Sequence, residues 1–265
     1  MRVDKGVILK GFNEMRLIPR VIEGLQLKEN NKIVKEEGFD SKELTPIGGM
    51  KSFINMILPT PDGKGVYKKD DINAVFKRAD SKWLNKMGIE LKYTNDKDII
   101  ISGDILKYKN LGNYSVKFQK ILKNFWKSLN PDSGIIFLYY NLINGIGLKL
   151  FEEVLLQNGF DRYNINESSF YNSINYKKGT LCVHCGKSHK DGNHKFVPAK
   201  FILLSGDLDH INRNKIISLI NNMGNKDGSI VKIILGSEIT GESIDFKRIR
   251  EIHLLEFQNN VSSMN

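Results

Sequence analysis

Two cysteines and several histidines lie close together in the last third of this 265-residue chain. Cys182, Cys185, His189 and His194 have the spacing C-x2-C-x3-H-x4-H. Thiolate and imidazole groups are ligands that Zn²⁺ prefers, and a C-x2-C pair is suited to a tight metal-binding turn. The pattern predicts a structural Zn²⁺ site, in which His184 is an alternative to His189. A polar insertion without metal is the other interpretation, because only one C-x2-C pair is present.

A second segment with chemical potential follows the apolar run 230–235. It reads GSEITGESIDF from Gly236 to Phe246 and contains carboxylates at Glu238 and Glu242. Small residues allow a ligand to approach the backbone closely, so the segment is a candidate binding loop. An ordinary surface loop followed by a helix cap is the alternative.

The composition limits the classes of protein to which the chain can belong. Apolar residues make up 40% of the chain, which suffices for a core, and no apolar run is long enough to span a membrane. The start of the sequence lacks the pattern of a secretory signal. Two cysteines argue against a disulfide framework and favour a reducing compartment. The net charge of +10 predicts a polyanionic partner, most commonly nucleic acid, although basic charge can also serve solubility alone.

The elements that must position these residues follow a regular alternation after residue 114. Helical spacing of apolar residues marks three segments: 114–129, 148–159 and 211–223. Short apolar runs between turn residues predict four strands: 135–140, 201–204, 230–235 and 251–255. Strands alternating with helices indicate an α/β fold with a mostly parallel sheet. Ligands of such sheets bind at the carboxyl ends of the strands, so the loops after these runs are the places to expect chemistry.

The remainder of the chain is less regular. Residues 1–111 form an irregular segment in which 51–58 is a short helix or strand and 69–88 has a helical pattern. Aromatic residues alternate with polar ones in 161–178, namely Tyr163, Phe170, Tyr171 and Tyr176. Such rings can stack on bases of single-stranded nucleic acid, but they can equally pack a loop onto the core.

Three segments resemble helicases and nucleoside triphosphatases of large nucleocytoplasmic DNA viruses. SGIIFLYYNLINGIGLKLFEEVLLQNGF (133–160) resembles their motif IV and the helix after it. LKYKNLGNYSVKF (106–118) is similar to the segment just upstream, and 196–260 is similar to the stretch through motif V. The resemblance covers about 100–260, with SFINMILP (52–59) similar to the segment linking the two lobes. It implies a RecA-like second helicase lobe at 112–265, interrupted by the Cys/His insertion at about 178–196.

The resemblance also implies roles for individual residues. Residues near the nucleic-acid backbone would be Tyr140, Asn141, Ser205, Gly206, Lys117 and Arg213. Residues near the nucleotide would be Gly241, Glu242, Ser243 and Asp245, with Asp245 approaching the ribose. Tyr140 replaces the usual serine and Ser243 a frequent glycine, so these two positions depart from the pattern. A solvated or structural role is the alternative for Lys117 and Arg213.

Other parts of such an enzyme are missing from the sequence. No G-x-x-x-x-G-K-[ST] loop for phosphate and no acidic Mg²⁺ box occur, and Gly48–Ser52 has the wrong glycine spacing. The final arginine-finger motif, expected after Asn260, is also absent, so we expect an incomplete lobe. ATP and Mg²⁺ would be shared with a first lobe on another polypeptide, and this chain alone would be inactive.

The implied role is therefore part of an ATP-dependent helicase or DNA-dependent NTPase in viral transcription or replication. It would act on nucleic acid, DNA rather than RNA, in the host cytoplasm, a viral factory or the virion. Two other hypotheses stay open: a non-catalytic nucleic-acid-binding or regulatory module derived from a helicase, and a gene fragment.

Overall fold

The computed structural model describes residues 55–57, 76, 79–93, 99–191, 193–206, 208–237 and 245–255. Its helices are α1 (Ser81–Met87), α2 (Tyr108–Leu111), α3 (Val116–Lys127), α4 (Leu148–Gln157), α5 (Ser169–Ile174) and α6 (His210–Asn221). Its strands are β1 (Glu90–Tyr93), β2 (Ile99–Ser102), β3 (Ile135–Tyr139), β4 (Asp161–Arg162), β5 (Lys200–Leu204), β6 (Ile233–Gly236) and β7 (Ile249–Leu254). Short 3-10 turns cover Asp104–Leu106 and Met223–Asn225. Among the described residues, no helix is long and apolar enough to cross a membrane.

Five strands form one parallel sheet in the order β4-β5-β6-β3-β7. From β3 to β6, consecutive strands in the chain are separated by helices, and the Cys/His insertion also lies between β4 and β5. The predicted α/β fold with a mostly parallel sheet is therefore confirmed.

The inner strands β3, β5 and β6 are buried on both faces, which explains why they are nearly continuous apolar runs. Along β3, Ile136 and Leu138 face the larger core, whereas Ile135 and Phe137 face the smaller one. The larger core contains α3 and α4, and the smaller core contains α6 through Ile216. The alternation follows from the period of two of a strand.

The helix α3 shows how local sequence fixes an element. Ser115 caps its start by accepting a hydrogen bond from the Phe118 amide at 2.9 Å. Phe118, Leu122 and Phe125 are buried at a spacing of three to four residues and form its inner face. The helix ends at Lys127, two residues before the predicted end at Leu129.

The segment before α3 packs on the same core as the sheet. An antiparallel hairpin, β1–β2, contributes Ile99 and Ile101 to the larger core. Glu153 of α4 is buried and accepts hydrogen bonds from Ser102 Oγ at 2.8 Å and from the Lys92 ammonium. Residues on both sides of the predicted 111/112 boundary thus share one core, and the division into two domains stays a prediction.

Several predicted elements differ at their ends. The strand predicted at 230–235 begins only at Ile233. The backbone amides of Ile230 and Val231 instead donate hydrogen bonds to Asn225 Oδ1, at 2.9 and 3.0 Å. Within 69–88, the described helix is α1, which Gly88 ends in the left-handed conformation. Of the segment 51–58, only Asn55, Met56 and Ile57 lie within the described residues, and all are buried.

Candidate functional site

The carboxyl ends of the central strands meet at one edge of the sheet, which we call the carboxyl edge. In the strand register, Gly236 of β6 lies beside Leu204 of β5 and beside Tyr139 of β3. Tyr139 in turn lies beside Leu254 of β7. The loops that follow these four strands therefore leave the sheet side by side, where ligands of parallel sheets bind.

The structure places four of the predicted nucleic-acid residues at this edge but buries two of them. Asn141 and Gly206 are exposed directly after β3 and β5. Tyr140 is only 1% exposed and Ser205 only 6%. The Tyr140 side chain packs in the larger core, so Asn141 is the side chain of this pair that a ligand can reach.

Asn141 is held in place by its neighbour in the strand. Its Oδ1 accepts a hydrogen bond from the Tyr139 hydroxyl. Ser237, which is not among the predicted site residues, is buried at the same edge, and its amide donates to the Leu204 carbonyl at 3.2 Å. Its position directly after an apolar strand is the signal that could have indicated it.

The start of α4 makes the carboxyl edge favourable for anions, whereas the start of α6 already holds the Asp209 carboxylate. α4 and α6 follow β3 and β5, so both begin on the side where those strands end. Asp209 caps α6 by accepting from the Asn212 amide at 2.8 Å, and this hydrogen bond holds the pKa of Asp209 below its ordinary value. The aligned peptide dipoles place partial positive charge at these helix starts.

The two predicted cations make contacts within the protein. The Lys117 ammonium donates to Asn55 Oδ1 at 2.6 Å and to the Leu255 carbonyl, which lies just after β7. Lys117 thus places the start of α3 at the same edge. The Arg213 guanidinium donates to the Leu208 carbonyl at 3.4 Å. These contacts give both residues a structural role, and their contact with nucleic acid stays a prediction.

Of the predicted nucleotide residues, Gly241, Glu242 and Ser243 lie outside the described residues. Asp245 is exposed, and its carbonyl accepts from Asn221 Nδ2 at 2.8 Å at the end of α6. α6 contains 12 residues, so its end lies about 18 Å along the helix from its start near the carboxyl edge. Asp245, the one residue of this set that the structure describes, therefore lies at the far end of α6 from the carboxyl edge.

Three of the four predicted metal ligands come together. The ligand atoms of Cys182, Cys185 and His194 lie within 4.8 Å of one another, whereas His189 is not part of that group. The ring of His189 instead packs against Phe196, with 5.1 Å between the ring centroids. This cluster lies in the insertion before β5.

The aromatic residues of 161–178 divide into two groups. Tyr163 is buried and its hydroxyl lies 3.1 Å from Ser169 Oγ, while Tyr176 packs on Phe196 at 4.9 Å between ring centroids. Phe170 and Tyr171 of α5 are 73% and 43% exposed. Packing onto the protein thus accounts for the first two rings, and base stacking stays a prediction for the exposed pair.

No protein-family model matches this chain. Relatives among curated proteins occur in large viruses. An Acanthamoeba polyphaga mimivirus protein, named as an ATP-dependent RNA helicase, is 31% identical over 92% of this chain and 21% of its own length. An early transcription factor large subunit homolog of African swine fever virus is 23% identical over 94% of this chain and 23% of its own length. The early transcription factor 70 kDa subunit of Melanoplus sanguinipes entomopoxvirus is 25% identical over 88% of this chain and 37% of its own length.

These comparisons confirm the resemblance found in the sequence. The homologues of the chain are viral helicase-like proteins and early transcription factor subunits. The chain spans between about a fifth and somewhat over a third of the length of these relatives.

Proposed function

We propose that this relative of viral helicase-like proteins and early transcription factor subunits works as the second lobe of an ATP-dependent helicase or DNA-dependent NTPase in viral transcription or replication. The observation that carries the proposal is the match over 92% of the chain to a protein named as a helicase. The parallel five-stranded sheet supports it, because its carboxyl edge gathers the loops that would meet nucleic acid.

Nucleic acid would bind along the carboxyl edge through its phosphates. Asn141 and Gly206 supply an exposed amide and an open backbone there, and the start of α4 adds partial positive charge. Contacts of this kind fix position without reading bases, so binding should depend strongly on salt and little on sequence. Within an infected cell, the place of action would be the cytoplasm, a viral factory or the virion.

We expect the chain to bind a labelled single-stranded oligonucleotide, with affinity falling roughly tenfold or more between 50 and 200 mM salt. Asn141→Asp keeps the acceptor for the Tyr139 hydroxyl but adds negative charge at the carboxyl edge. It should weaken binding roughly threefold or more at low salt, because it repels phosphate. Fluorescence anisotropy with DNA and RNA of one sequence measures both effects and ranks the two nucleic acids.

Asn222→Asp is the matched control for this experiment. Asn222 is exposed next to the end of α6, away from the carboxyl edge, and its Oδ1 accepts from the Gly224 amide at 2.7 Å. The substitution makes the same change of charge and keeps that acceptor. Equal weakening by both variants, or affinity independent of salt, would contradict binding at the carboxyl edge.

ATP and Mg²⁺ would bind between this lobe and a first lobe, with Asp245 near the ribose. The 265 residues contain no phosphate-cradling loop with a lysine, so the chain alone should not hydrolyse ATP in response to DNA. A coupled phosphate-release assay with pure protein measures this. Robust DNA-stimulated turnover that disappears in Asp245→Ala would show that the chain has an ATPase site of its own.

A binding or regulatory module derived from a helicase is the second candidate. Affinity purification of the tagged chain from its native source, followed by mass spectrometry, separates the two. A stoichiometric partner with a Walker-type loop would support the second-lobe function. Co-purification of nucleic acid without such a partner would support the module instead.

A further inference from the structure

The insertion before β5 folds into a tight turn around its two cysteines. The Cys182 amide donates to the Lys187 carbonyl at 2.8 Å, and the Gly186 amide donates to the Cys182 carbonyl at 2.9 Å. Gly186 has φ of +67°, which a residue with a side chain rarely adopts. This turn brings the thiols of Cys182 and Cys185 towards the same point, and both are free thiols.

The separation of the three ligand atoms is close to that of a metal centre. Zn–S bonds of about 2.3 Å in a tetrahedron place two sulfurs about 3.8 Å apart. The ligand atoms of Cys182, Cys185 and His194 already lie within 4.8 Å of one another. Closing on a metal would therefore need shifts of about 1 Å, which side-chain rotation can provide.

The surroundings of His194 point independently to a missing ligand. Both ring nitrogens of His194 are shielded from solvent and have no hydrogen-bond partner among the residues that the structure describes. Buried polar atoms normally have a partner, so an imidazole with two unpartnered nitrogens is unusual. The Cys182 thiol is also buried, and its recorded polar contact is a long one of 3.8 Å to the Lys195 carbonyl. A metal ion would satisfy both groups at once.

We propose that Cys182, Cys185 and His194 bind one Zn²⁺ and that His189 completes the tetrahedron. His189 is exposed, and its ring packs on Phe196, as does the ring of His194 at 6.0 Å, so both imidazoles lie beside the same ring. His184, the alternative in the sequence, lies with Nε2 at 3.0 Å from Asp227 Oδ2 and is thereby held away. Four nitrogen and sulfur ligands are the usual set of a structural zinc site.

The metal would join the end of α4 to the start of β5. The Leu181 amide donates to the Gly159 carbonyl, and the Ala199 amide donates to the Leu181 carbonyl, both at 2.8 Å. Val183, between the two cysteines, is fully buried in the larger core. Loss of the metal should therefore loosen the insertion where it packs on the sheet, which makes the role structural and independent of the helicase proposal.

Elemental analysis of the full chain, purified with reductant and without chelator, should give one zinc per chain. Cobalt replacing zinc should give the thiolate charge-transfer and tetrahedral d–d absorption bands. Cys185→Ser should remove the charge-transfer intensity of one thiolate and lower the affinity for the metal roughly tenfold or more. Even the loss of a residue that only hydrogen-bonds to a metal ligand lowers metal affinity by about that factor. Cys185 is exposed, so this variant leaves the core intact.

His194→Ala and His189→Ala should each weaken cobalt binding roughly tenfold or more, whereas His184→Ala should not. Circular dichroism of each variant shows whether it has folded. A folded wild-type chain with well under one zinc, no cobalt bands and no change on chelation would overturn the site. Unchanged cobalt affinity and spectrum in His189→Ala would overturn its assignment as the fourth ligand.

Discussion

Replacing Phe151 with alanine should lower the free energy of unfolding by about 3–5 kcal/mol, the range for deleting a buried phenylalanine side chain. Phe151 lies on α4 and is fully buried. Its ring centroid lies 4.9 Å from that of Phe118 and 6.1 Å from that of Phe125, both edge-on and both on α3. Alanine would leave a cavity between the two helices that these rings, fixed by their own neighbours, can fill only in part.

Urea unfolding followed by tryptophan fluorescence measures this loss. Trp126 reports on the region, because it packs on Tyr108 with ring centroids 4.8 Å apart. Phe170→Ala is the matched control: Phe170 is 73% exposed, so its removal should change the free energy of unfolding by no more than about 0.5 kcal/mol. A loss below about 1 kcal/mol for Phe151→Ala would contradict the packing described here.

The same aromatic cluster links the core to the proposed nucleic-acid surface. Phe125 also lies edge-on to Phe160, just before β4, and to His253 of β7, with ring centroids 6.4 and 5.1 Å apart. It therefore joins α3 to the sheet. Since Asn141 lies two residues after β3, an inner strand of this sheet, the packing that stabilises the fold also fixes where the carboxyl edge presents its loops.

The regular elements could be predicted because their signals are local. The apolar spacing of α3, its Ser115 cap and the turn residues after it define a helix without reference to the rest of the chain. The strands β3 and β5 are apolar runs bounded by turns, since both faces of a parallel sheet are covered. The α/β fold follows from their alternation with helices.

The β1–β2 hairpin could not be predicted in the same way. β1 contains Glu90, Lys92 and Tyr93, which are exposed, so it shows little apolar pattern of its own. Pairing with Ile99 and Ile101 of β2, which are buried, makes it a strand. Its structure depends on tertiary contacts that a pattern along the sequence does not contain.

The sequence indicated which loops leave the carboxyl edge of the sheet, but not which side chains there are accessible. The sequence contains two successive tyrosines at the end of β3 and does not reveal that the core takes up Tyr140 and leaves Asn141 exposed. The spacing of the Cys/His motif likewise does not distinguish His189 from His194 as metal ligands. Only the fold shows that His194 lies with the two thiols while His189 packs on Phe196.

Asn158 joins the segment before α3 to α4 through a fully used side chain. Its Nδ2 donates to the carbonyls of Leu106 at 2.8 Å and Val154 at 2.7 Å, and its Oδ1 accepts from the Tyr108 amide at 2.8 Å. Its carbonyl accepts from Trp126 Nε1 at 3.0 Å. Asn158 is buried, so water cannot replace these partners at low cost.

Asn158→Asp should therefore lower the free energy of unfolding by about 3 kcal/mol or more near neutral pH. The substitution keeps the shape and the acceptor but removes both donors and turns a carboxylate towards two carbonyl oxygens. Asn214→Asp, at an exposed position of α6, makes the same covalent change and should alter the free energy of unfolding by no more than about 0.5 kcal/mol.

The loss should also depend on pH in a defined direction. Burial and the two facing carbonyls raise the pKa of the introduced carboxyl in the folded state. In the unfolded chain, the pKa of the same carboxyl is about 3.9. The folded variant then binds more protons than the unfolded one, so its deficit relative to the wild type is smallest below about pH 4 and grows as the pH rises through the folded-state pKa. Urea unfolding of both proteins near pH 4.5 and 7.5 measures the difference. A deficit equal at both values, or no larger than that of Asn214→Asp, would mean that these hydrogen bonds do not hold the two segments together.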